Sequence, residues 1–455
     1  MKVIIGNAWP YANSKLHLGR VVVFIPGDIL ARYHRKKGDE VIFISGSDAH
    51  GNLILSKAEE EKITPIEVVE KYHGEFIREF EALDFSFDLF SNTEKEFHKE
   101  WVQTKIKELY DKDYIYENEG DLFFKLSKFE NEVKNIFERG EFWRKNAKII
   151  TEKYIREGLR DRAVTKDIDF GVKVPLDGFD DKRIFVWIEA LMGYLTAAKE
   201  CIGSEESLKE YFNGGDSRVY LIHGKDNIPF HTIIFTGLIS ALGYDDINLR
   251  VFSSNYLKLE GKNFSTIKNW ALWIDEVLEK YSVDLIRYFL IMNSPEECDT
   301  DFRWKSFISS NNELVDELER FCTNTVNLYN KERCQIYKNK YEKNKMDEYY
   351  EDVGLLIEKG KFKDGLKLIL SFVKETNRDK TYSIIKLINI ANLLEPFMPS
   401  FSHKILDIFK LKNNSFEFIH IENVDRNIEY IETFRVMDKN IFIDEINNLK
   451  KKKLK

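Results

Sequence analysis

Two apolar runs, "KVIIG" at residues 2–6 and "VIFIS" at 41–45, constrain the fold of this chain more than any other feature. Between them lie a loop, "AWPYANSKLHLGR" (Ala8–Arg20), and a helix-patterned stretch from Val21 to Lys36. Strand, loop, helix and strand in that order make a βαβ unit, whose right-handed crossover places the two strands parallel in one sheet. Pro26 falls inside the helix pattern and is expected to bend it. "SGSDAHG" (Ser45–Gly51) sits where the second strand ends, and in open α/β sheets that carboxyl edge is where ligands bind.

Residues 55–170 read as mostly charged and helical, with one aromatic, strand-like stretch, "DLFFKLSKF". Alternating α/β character returns at "RIFVWIEALMGYLTAA" and continues through "RVYLIHGKDNIPFHTIIFTGLISALGY" to "LRVFSSNYLKLEG". From about residue 306 the pattern is helical. Leu366, Ile369, Leu370 and Val373 share one face, and "IIKLINIANLLEPFMP" repeats that spacing until Pro396 and Pro399 are expected to stop it. The expected fold is therefore α/β: a Rossmann-type parallel sheet with an inserted segment, followed by an all-helical C-terminal domain. The expected divisions are residues 1–115 (first half of the sheet domain), 116–170 (reduced connective insertion), 171–250 (second half), 251–305 (loop and stem region), 306–412 (helical domain) and 413–455 (tail).

A chain of 455 residues is too long for one ordinary core, in keeping with several domains. With 69 basic and 77 acidic residues the net charge is −8, so no global basic field advertises nucleic acid, although a local basic strip would suffice to bind it. Cys201, Cys298, Cys322 and Cys334 form no C-x-x-C pair, which argues against a disulfide framework and a zinc knuckle. Met1 and Lys2 lead straight into a strand, and no run reaches the ~18 apolar residues of a membrane span. A soluble, cytoplasmic, monomeric protein with no membrane contact is expected.

The loop between the first strand and helix carries chemistry. A strand-to-helix turn offers free backbone N–H groups and the positive end of the helix dipole, which suits a phosphate. Gly19 allows a flat ring to approach the backbone. His17 can donate to a phosphate oxygen as charge builds there during displacement. The alternative is a histidine that merely caps its own helix.

"AWPYANSKLHLGR" resembles the HIGH signature of class I aminoacyl-tRNA synthetases, in the form that methionyl-tRNA synthetases use. "SGSDAHG", "GLRDRAVTKDIDFGVKVP", "VWIEALMGYL", "HGKDNIPFH", "NYLKLEGKNFSTIKNW" and "DTDFRWKSF" are similar to further blocks of that family, in the family's order, over most of residues 2–320. The resemblance implies ATP-dependent activation of an amino acid, methionine or a near analogue, to an aminoacyl-adenylate and pyrophosphate. ATP with Mg2+ would be the substrate complex. His17, Arg20 and Asp48 would be catalytic, with Asp48 holding the α-ammonium. Ala8, Trp9, Tyr11, Trp187, Ala190, Leu191, Tyr194, Asn227 and His231 would line the amino-acid pocket, where aromatic walls suit a polarizable thioether. Pro10, Gly19, Gly224, Lys225 and Asp226 would meet the nucleotide with His17 and Arg20. Lys262, Asn263, Ser265, Thr266 and Lys268 belong to the loop that resembles the KMSKS signature.

The chain also departs from the family pattern. Arg20 stands where the second signature histidine is usual, Asn263 and Ile267 replace a lysine and a serine of the loop, and Glu189 replaces an aspartate in "VWIEA". The gap that holds the family's zinc-binding knuckles is closed between "KDYIYENEG" and "DLFFKLSKF", so no zinc is expected. In "NNELVDELERFCTNT", Arg320 and Asn324 occupy positions where the family contacts anticodon bases, with Asp316, Glu317 and Glu319 added, and "VKETNRDKTYSIIKL" lacks the stacking tryptophan. Added acid facing a phosphate chain is repulsive, so tRNA binding is expected to be weak or indifferent to the anticodon. By family default the acceptor is tRNA. Two other readings remain open: a tRNA-independent paralogue that passes the aminoacyl group to a small molecule or other non-tRNA acceptor, and a catalytically silent amino-acid-binding relative.

Overall fold

The structure, a computed structural model, describes residues 1–452 apart from 214, 245, 333–339, 413–414 and 422–426, together with the side chains of 332 and 340–342. Cys334 lies outside the described residues. The chain divides into two compact units: Met1–Leu16, Asp39–Glu81 and Ser86–Ser254 form the first, and His17–Gly38, Ala82–Phe85 and Asn255–Lys455 the second.

The first unit is built on a five-stranded sheet of β1 (Lys2–Asn7), β2 (Glu40–Ser47), β3 (Leu89–Asn92), β4 (Ser217–Gly224) and β5 (Leu249–Ser254). The spatial order is β5-β4-β1-β2-β3 and every pairing is parallel. The central strands read as continuous apolar runs because both faces are covered; Val3, Ile5, Phe43, Ile44, Tyr220 and Ile222 are all fully buried. β3 comes from the stretch expected to be charged and helical, and its short "LFSN" run is fixed by pairing Leu89 to Asn92 against Ile44 to Ser47. Gly46 on β2 is a point of close approach. A Cβ there would lie 2.5 Å from the Ser91 carbonyl oxygen and 2.6 Å from the Trp9 ring. A neighbouring strand's backbone cannot retreat, so Gly46→Ala should destabilise the protein by about 1–3 kcal/mol. Gly224→Ala, whose Cβ would meet nothing within 4 Å, should be close to neutral when the two variants are compared by urea titration.

Where the family's knuckle module would fall, Ile115–Asn118 and Asp121–Phe124 form an antiparallel hairpin, with Asn118 paired to Asp121. Its two turn residues, Glu119 (φ 51°) and Gly120 (φ 80°), are both left-handed, the conformation that matches the twist of a two-residue hairpin. Arg162–Ala163 adds a third strand.

The second unit begins with α1 (Leu18–Lys36), which starts three residues before the expected helix and carries Pro26 inside it. α1 is keyed to the C-terminal helices through a buried ionic cluster. Asp28, fully buried, accepts from Arg32 Nε at 2.9 Å and from Arg287 Nη2 at 2.6 Å. Arg32 also donates to Glu395 at 2.9 Å and to the Asp84 carbonyl at 2.6 Å, while Arg287 donates to the carbonyls of Leu83, Pro396 and Phe397. Every guanidinium here is paired on several sides, the condition under which buried charge is tolerated.

The helix over Ile384–Leu394 ends before Pro396 as expected, but Pro399 opens the next helix, Pro399–Ile408, instead of closing one. Proline suits that first turn because its missing N–H would be unpaired there anyway. The tail is held by side chains of the helices. Asn311 and Asn312 bond the backbone of Arg435 and Met437, Asn330 bonds Ile428, and Asn389 and Asn392 bond the backbone of Ile419, Ser415 and Glu417. Glu319, expected to add acid toward a phosphate chain, is buried instead. It accepts from Tyr430 Oη at 2.5 Å and from the Thr433 and Phe434 amides at 2.7 Å each. Among the described residues no helix is long and apolar enough to cross a membrane.

Candidate functional site

The expected site residues fall in both units, and each set has its own geometry. In the first, the loop after β1 runs beside the end of β2: Asp48 N donates to the Pro10 carbonyl at 2.9 Å and Ala12 N to the Asp48 carbonyl at 3.0 Å. The two segments share a parallel bridge at Tyr11 and Asp48. Burial, reinforced by the Asp48 charge, pushes the pKa of the Tyr11 hydroxyl up. Asp48 is buried, and burial together with the charge of Glu189 pushes its pKa well above the usual aspartate value.

Next to Asp48 in the same buried region stands a network of two histidines and two carboxylates. Fully buried Glu189 accepts from His50 Nδ1 at 3.1 Å and from His98 Nε2 at 3.0 Å. His50 Nε2 meets Glu94 at 2.6 Å, and His98 Nδ1 meets Thr196 Oγ1 at 2.8 Å. Burial alone would lower the His50 pKa, but Glu189 and Glu94 outweigh it and hold it up at about 10. Burial works likewise against the Glu189 carboxylate, and His50 and His98 outweigh it to hold its pKa down at about 2. His50 stands in "SGSDAHG" and Glu189 in "VWIEA", but neither was expected to pair with the other; His98 and Glu94 lie in the charged stretch and carried no signal.

Of the residues expected to line the amino-acid pocket, Trp9 and His231 meet Tyr194. Trp9 packs edge-on to Tyr194 at 6.2 Å and lies against Gly46, where a Cβ would be 2.6 Å from the ring, and Gly193, where it would be 3.0 Å away. Tyr194 Oη meets His231 Nε2 at 2.8 Å, and His231 Nδ1 meets the Asn227 carbonyl at 2.8 Å. The carbonyl can only accept, so Nδ1 carries the proton and Nε2 accepts from the tyrosine. Burial lowers the His231 pKa to about 4, which keeps the ring neutral. A second buried ring, His223, stacks on it at 4.2 Å and was not foreseen. Ala8 and Leu191 are buried and Ala190 is half-buried, whereas Trp187 is 49 % exposed and packs against Phe185 and Phe230. Gly224 and Lys225 are half-buried and Asp226 is exposed at the end of β4.

In the second unit His17 is the residue before α1, with an extended backbone (φ −128°, ψ 161°). Its side chain does not cap the helix. The ring stacks on Phe264 at 4.8 Å and 11°, meets Trp273 edge-on at 6.0 Å, and its Nδ1 is buried with no hydrogen-bond partner among the described residues. The flat ring that Gly19 admits is therefore Phe264 itself, whose atoms a Cβ at Gly19 would meet at 2.7 Å. Phe264 belongs to the loop that follows Leu257–Leu259, where Lys262 and Asn263 pair back on Leu259 and Lys258. In that loop Lys262, Asn263 and Lys268 are exposed, Ser265 and Thr266 half-buried, and Ile267 97 % exposed. Lys262 Nζ lies 5.0 Å over the Trp270 ring. Arg20 is half-buried. Burial, reinforced by the Arg20 charge, lowers the His17 pKa to about 3. His17 is thus neutral throughout the working range, and a pH profile of the catalysed rate between about 5 and 8 should show no inflection near the usual histidine value of ~6.5.

Among the described residues no cluster of three or more histidine, cysteine, aspartate or glutamate side chains is placed to hold a metal ion. Of the positions expected to read an anticodon, Arg320 is 52 % exposed and paired to Glu317 at 3.3 Å, and Asn324 donates to Tyr382 Oη at 2.9 Å.

An all-parallel nucleotide-type sheet with these two signature segments defines a class. The family profile described as "tRNA synthetases class I (M)" matches residues 3–122 and 116–326. A methionine--tRNA ligase 1 of Alkaliphilus oremlandii is 36 % identical over 546 residues, covering 99 % of this chain and all of the relative. A methionine--tRNA ligase of Bacillus anthracis is 36 % identical over 513 residues, covering 92 % of this chain and 94 % of the relative. The chain belongs to the methionine--tRNA ligase family. In fold it is similar to a Mycobacterium tuberculosis methionyl-tRNA synthetase in complex with methionyl-adenylate, with a TM-score of 0.82 at 20 % identity over 95 % of this chain and 99 % of that one.

Proposed function

We propose that the chain activates methionine with ATP, forming methionyl-adenylate and pyrophosphate, and passes the methionyl group to tRNA. Membership of a ligase family supports both steps, since the relatives are named methionine--tRNA ligases. Nothing in the comparisons favours the non-tRNA acceptor. The observation that carries the reading is the stacking of His17 on Phe264, which joins the first signature segment to the loop of the second and leaves Nδ1 unpaired.

In this reading each group has a physical task. Asp48 meets the α-ammonium: a buried carboxylate that its surroundings disfavour as an anion gains most from a cation. Tyr11 and Trp187 line the amino-acid pocket beside it. Tyr194 and neutral His231, with Ala8, Trp9, Ala190, Leu191 and Asn227, take the thioether side chain. Pro10, Gly19, Gly224, Lys225 and Asp226 meet the nucleotide. His17 and Arg20 stabilise charge as the methionine carboxylate oxygen attacks the α-phosphorus and pyrophosphate departs. Lys262 and Lys268, with Asn263, Ser265 and Thr266, receive the leaving pyrophosphate. Mg2+ accompanies ATP as part of the substrate. The tRNA is read with little dependence on the anticodon, because Asn324 is engaged with Tyr382 and Arg320 with Glu317.

Exchange of labelled pyrophosphate into ATP across the twenty amino acids tests the first step, with methionine expected to lead. Exchange led by a charged or small polar amino acid would overturn it. Charging of transcripts with a methionine anticodon and with a scrambled one tests the second. Comparable charging of both is expected, and strong preference for the first would show that the helical domain reads anticodons.

A further inference from the structure

His223 is the penultimate residue of β4 and is fully buried. One face of its ring lies nearly parallel to His231, with 4.2 Å between centroids and 13° between planes. Its Nδ1 donates to the Gly224 carbonyl at 2.9 Å. The carbonyl can only accept, so Nε2 is the bare acceptor of the ring. That Nε2 is buried with no hydrogen-bond partner among the described residues. Ser253, its register partner on β5, donates its hydroxyl proton to Asn146 Oδ1 at 2.6 Å instead. Burial, then the His231 ring and the Arg144 charge, lower the His223 pKa well below the ordinary histidine value, so the ring is neutral.

A buried acceptor without a donor is unfavourable, so leucine or phenylalanine would suit this position better if packing were its whole purpose. We propose that His223 is a positioning residue for amino-acid activation, joining the methionine side of the site to its nucleotide side. The inference rests on the ligase reading above. Among side chains of this size histidine combines a flat face with a short-armed donor; phenylalanine has the face only, and asparagine the donor only. The face fixes the plane of His231, which accepts from Tyr194 at Nε2 and donates to the Asn227 carbonyl at Nδ1. His231 stands in a π-helical turn, Phe230–Ile234, a geometry common at functional sites. The donor holds the Gly224 carbonyl at the head of the turn Lys225–Asn227, whose Lys225 and Asp226 the ligase reading gives to the nucleotide.

The test is a split between two Michaelis constants in pyrophosphate exchange. His223→Phe keeps the face and loses the donor. Its KM for ATP should rise about 3–10-fold, the loss of one neutral hydrogen bond, with KM for methionine unchanged. His223→Asn keeps the donor and loses the face. Its KM for methionine should rise about 3–10-fold, the loss of one ring-on-ring contact, with KM for ATP unchanged. His223→Leu should raise both constants, yet its urea midpoint should not fall, because leucine buries no unpaired acceptor. Constants that stay at wild-type values in every variant would overturn the proposal. So would phenylalanine and asparagine variants that raise both constants alike, or a leucine variant with a lowered midpoint, since either outcome marks a ring kept for packing. A wild-type protein that catalyses no exchange would refute the ligase reading. Calorimetric titration of methionine and of ATP into the same proteins would then read the same split as dissociation constants, and its absence there would overturn the proposal.

Discussion

Replacing His17 by alanine is expected to slow methionine-dependent pyrophosphate exchange by about 10²–10³-fold, the usual consequence of losing one donor aimed at developing negative charge. The ring is held between neighbours: Phe264 covers one face, Trp273 meets an edge, and Leu18 N bonds the Leu272 carbonyl beside it at 3.0 Å. Because no protein group engages Nδ1, its removal breaks no internal hydrogen bond there, and the unfolding midpoint should move far less than the rate. Methionine binding, which the proposed reading assigns to Asp48, should persist. His17→Asn keeps a donor and should recover part of the loss. An alanine variant that exchanges like wild type would place the chemistry elsewhere.

The largest effect on stability is expected at Glu189. Replacing it by alanine removes the one carboxylate shared by His50 and His98 and leaves a buried imidazolium short of a partner, a change that costs about 3–5 kcal/mol. Glu189→Asp, too short to span both rings, should fall between. The pH dependence has two edges. The His50 pKa is raised in the folded protein, so its contribution is complete below the ordinary 6.5 and is lost as pH rises through about 10. That of Glu189 is lowered, so its contribution is complete above the ordinary 4.5 and is lost as pH falls through about 2. Denaturant titrations at pH 7 and pH 10 should show wild type losing more stability than Glu189→Ala between the two. Equal losses would mean that the network does not hold the charge on His50.

The parallel sheet could be read from "KVIIG" and "VIFIS" because apolar runs and a helix between them leave few topologies. β3 could not, since four residues of mixed character become a strand only through pairing with β2. The buried face of Glu319 was equally invisible: the donors it meets lie more than 100 residues along the chain, so an acid in a polar helix looked exposed. Pro399 illustrates a local ambiguity, because proline both ends one helix and begins the next. Within the site, "SGSDAHG" named Asp48, but Glu94 and His98, which meet His50 and Glu189, carry no spacing that marks them: Glu94 lies in the turn before the helix Glu96–Asp111 and His98 within it. Gly19 has the Phe264 ring packed against it, and nothing in the sequence showed that a side chain of the chain itself would lie there.

The chain enters the second unit at His17, again at Ala82, and finally at Asn255. Cutting the gene between Ser254 and Asn255 would therefore not separate two modules. The downstream fragment would lack Asp28 and Arg32, and with them the counter-charges of Arg287 and Glu395, as well as the Leu83 and Asp84 backbone that receives the guanidiniums. It is expected to aggregate when expressed alone and to be recovered only when residues 1–254 are supplied in trans. The helical half thus cannot be exchanged as a cassette with another protein's, and any recombination that preserves folding must carry the segment 17–38 along with it.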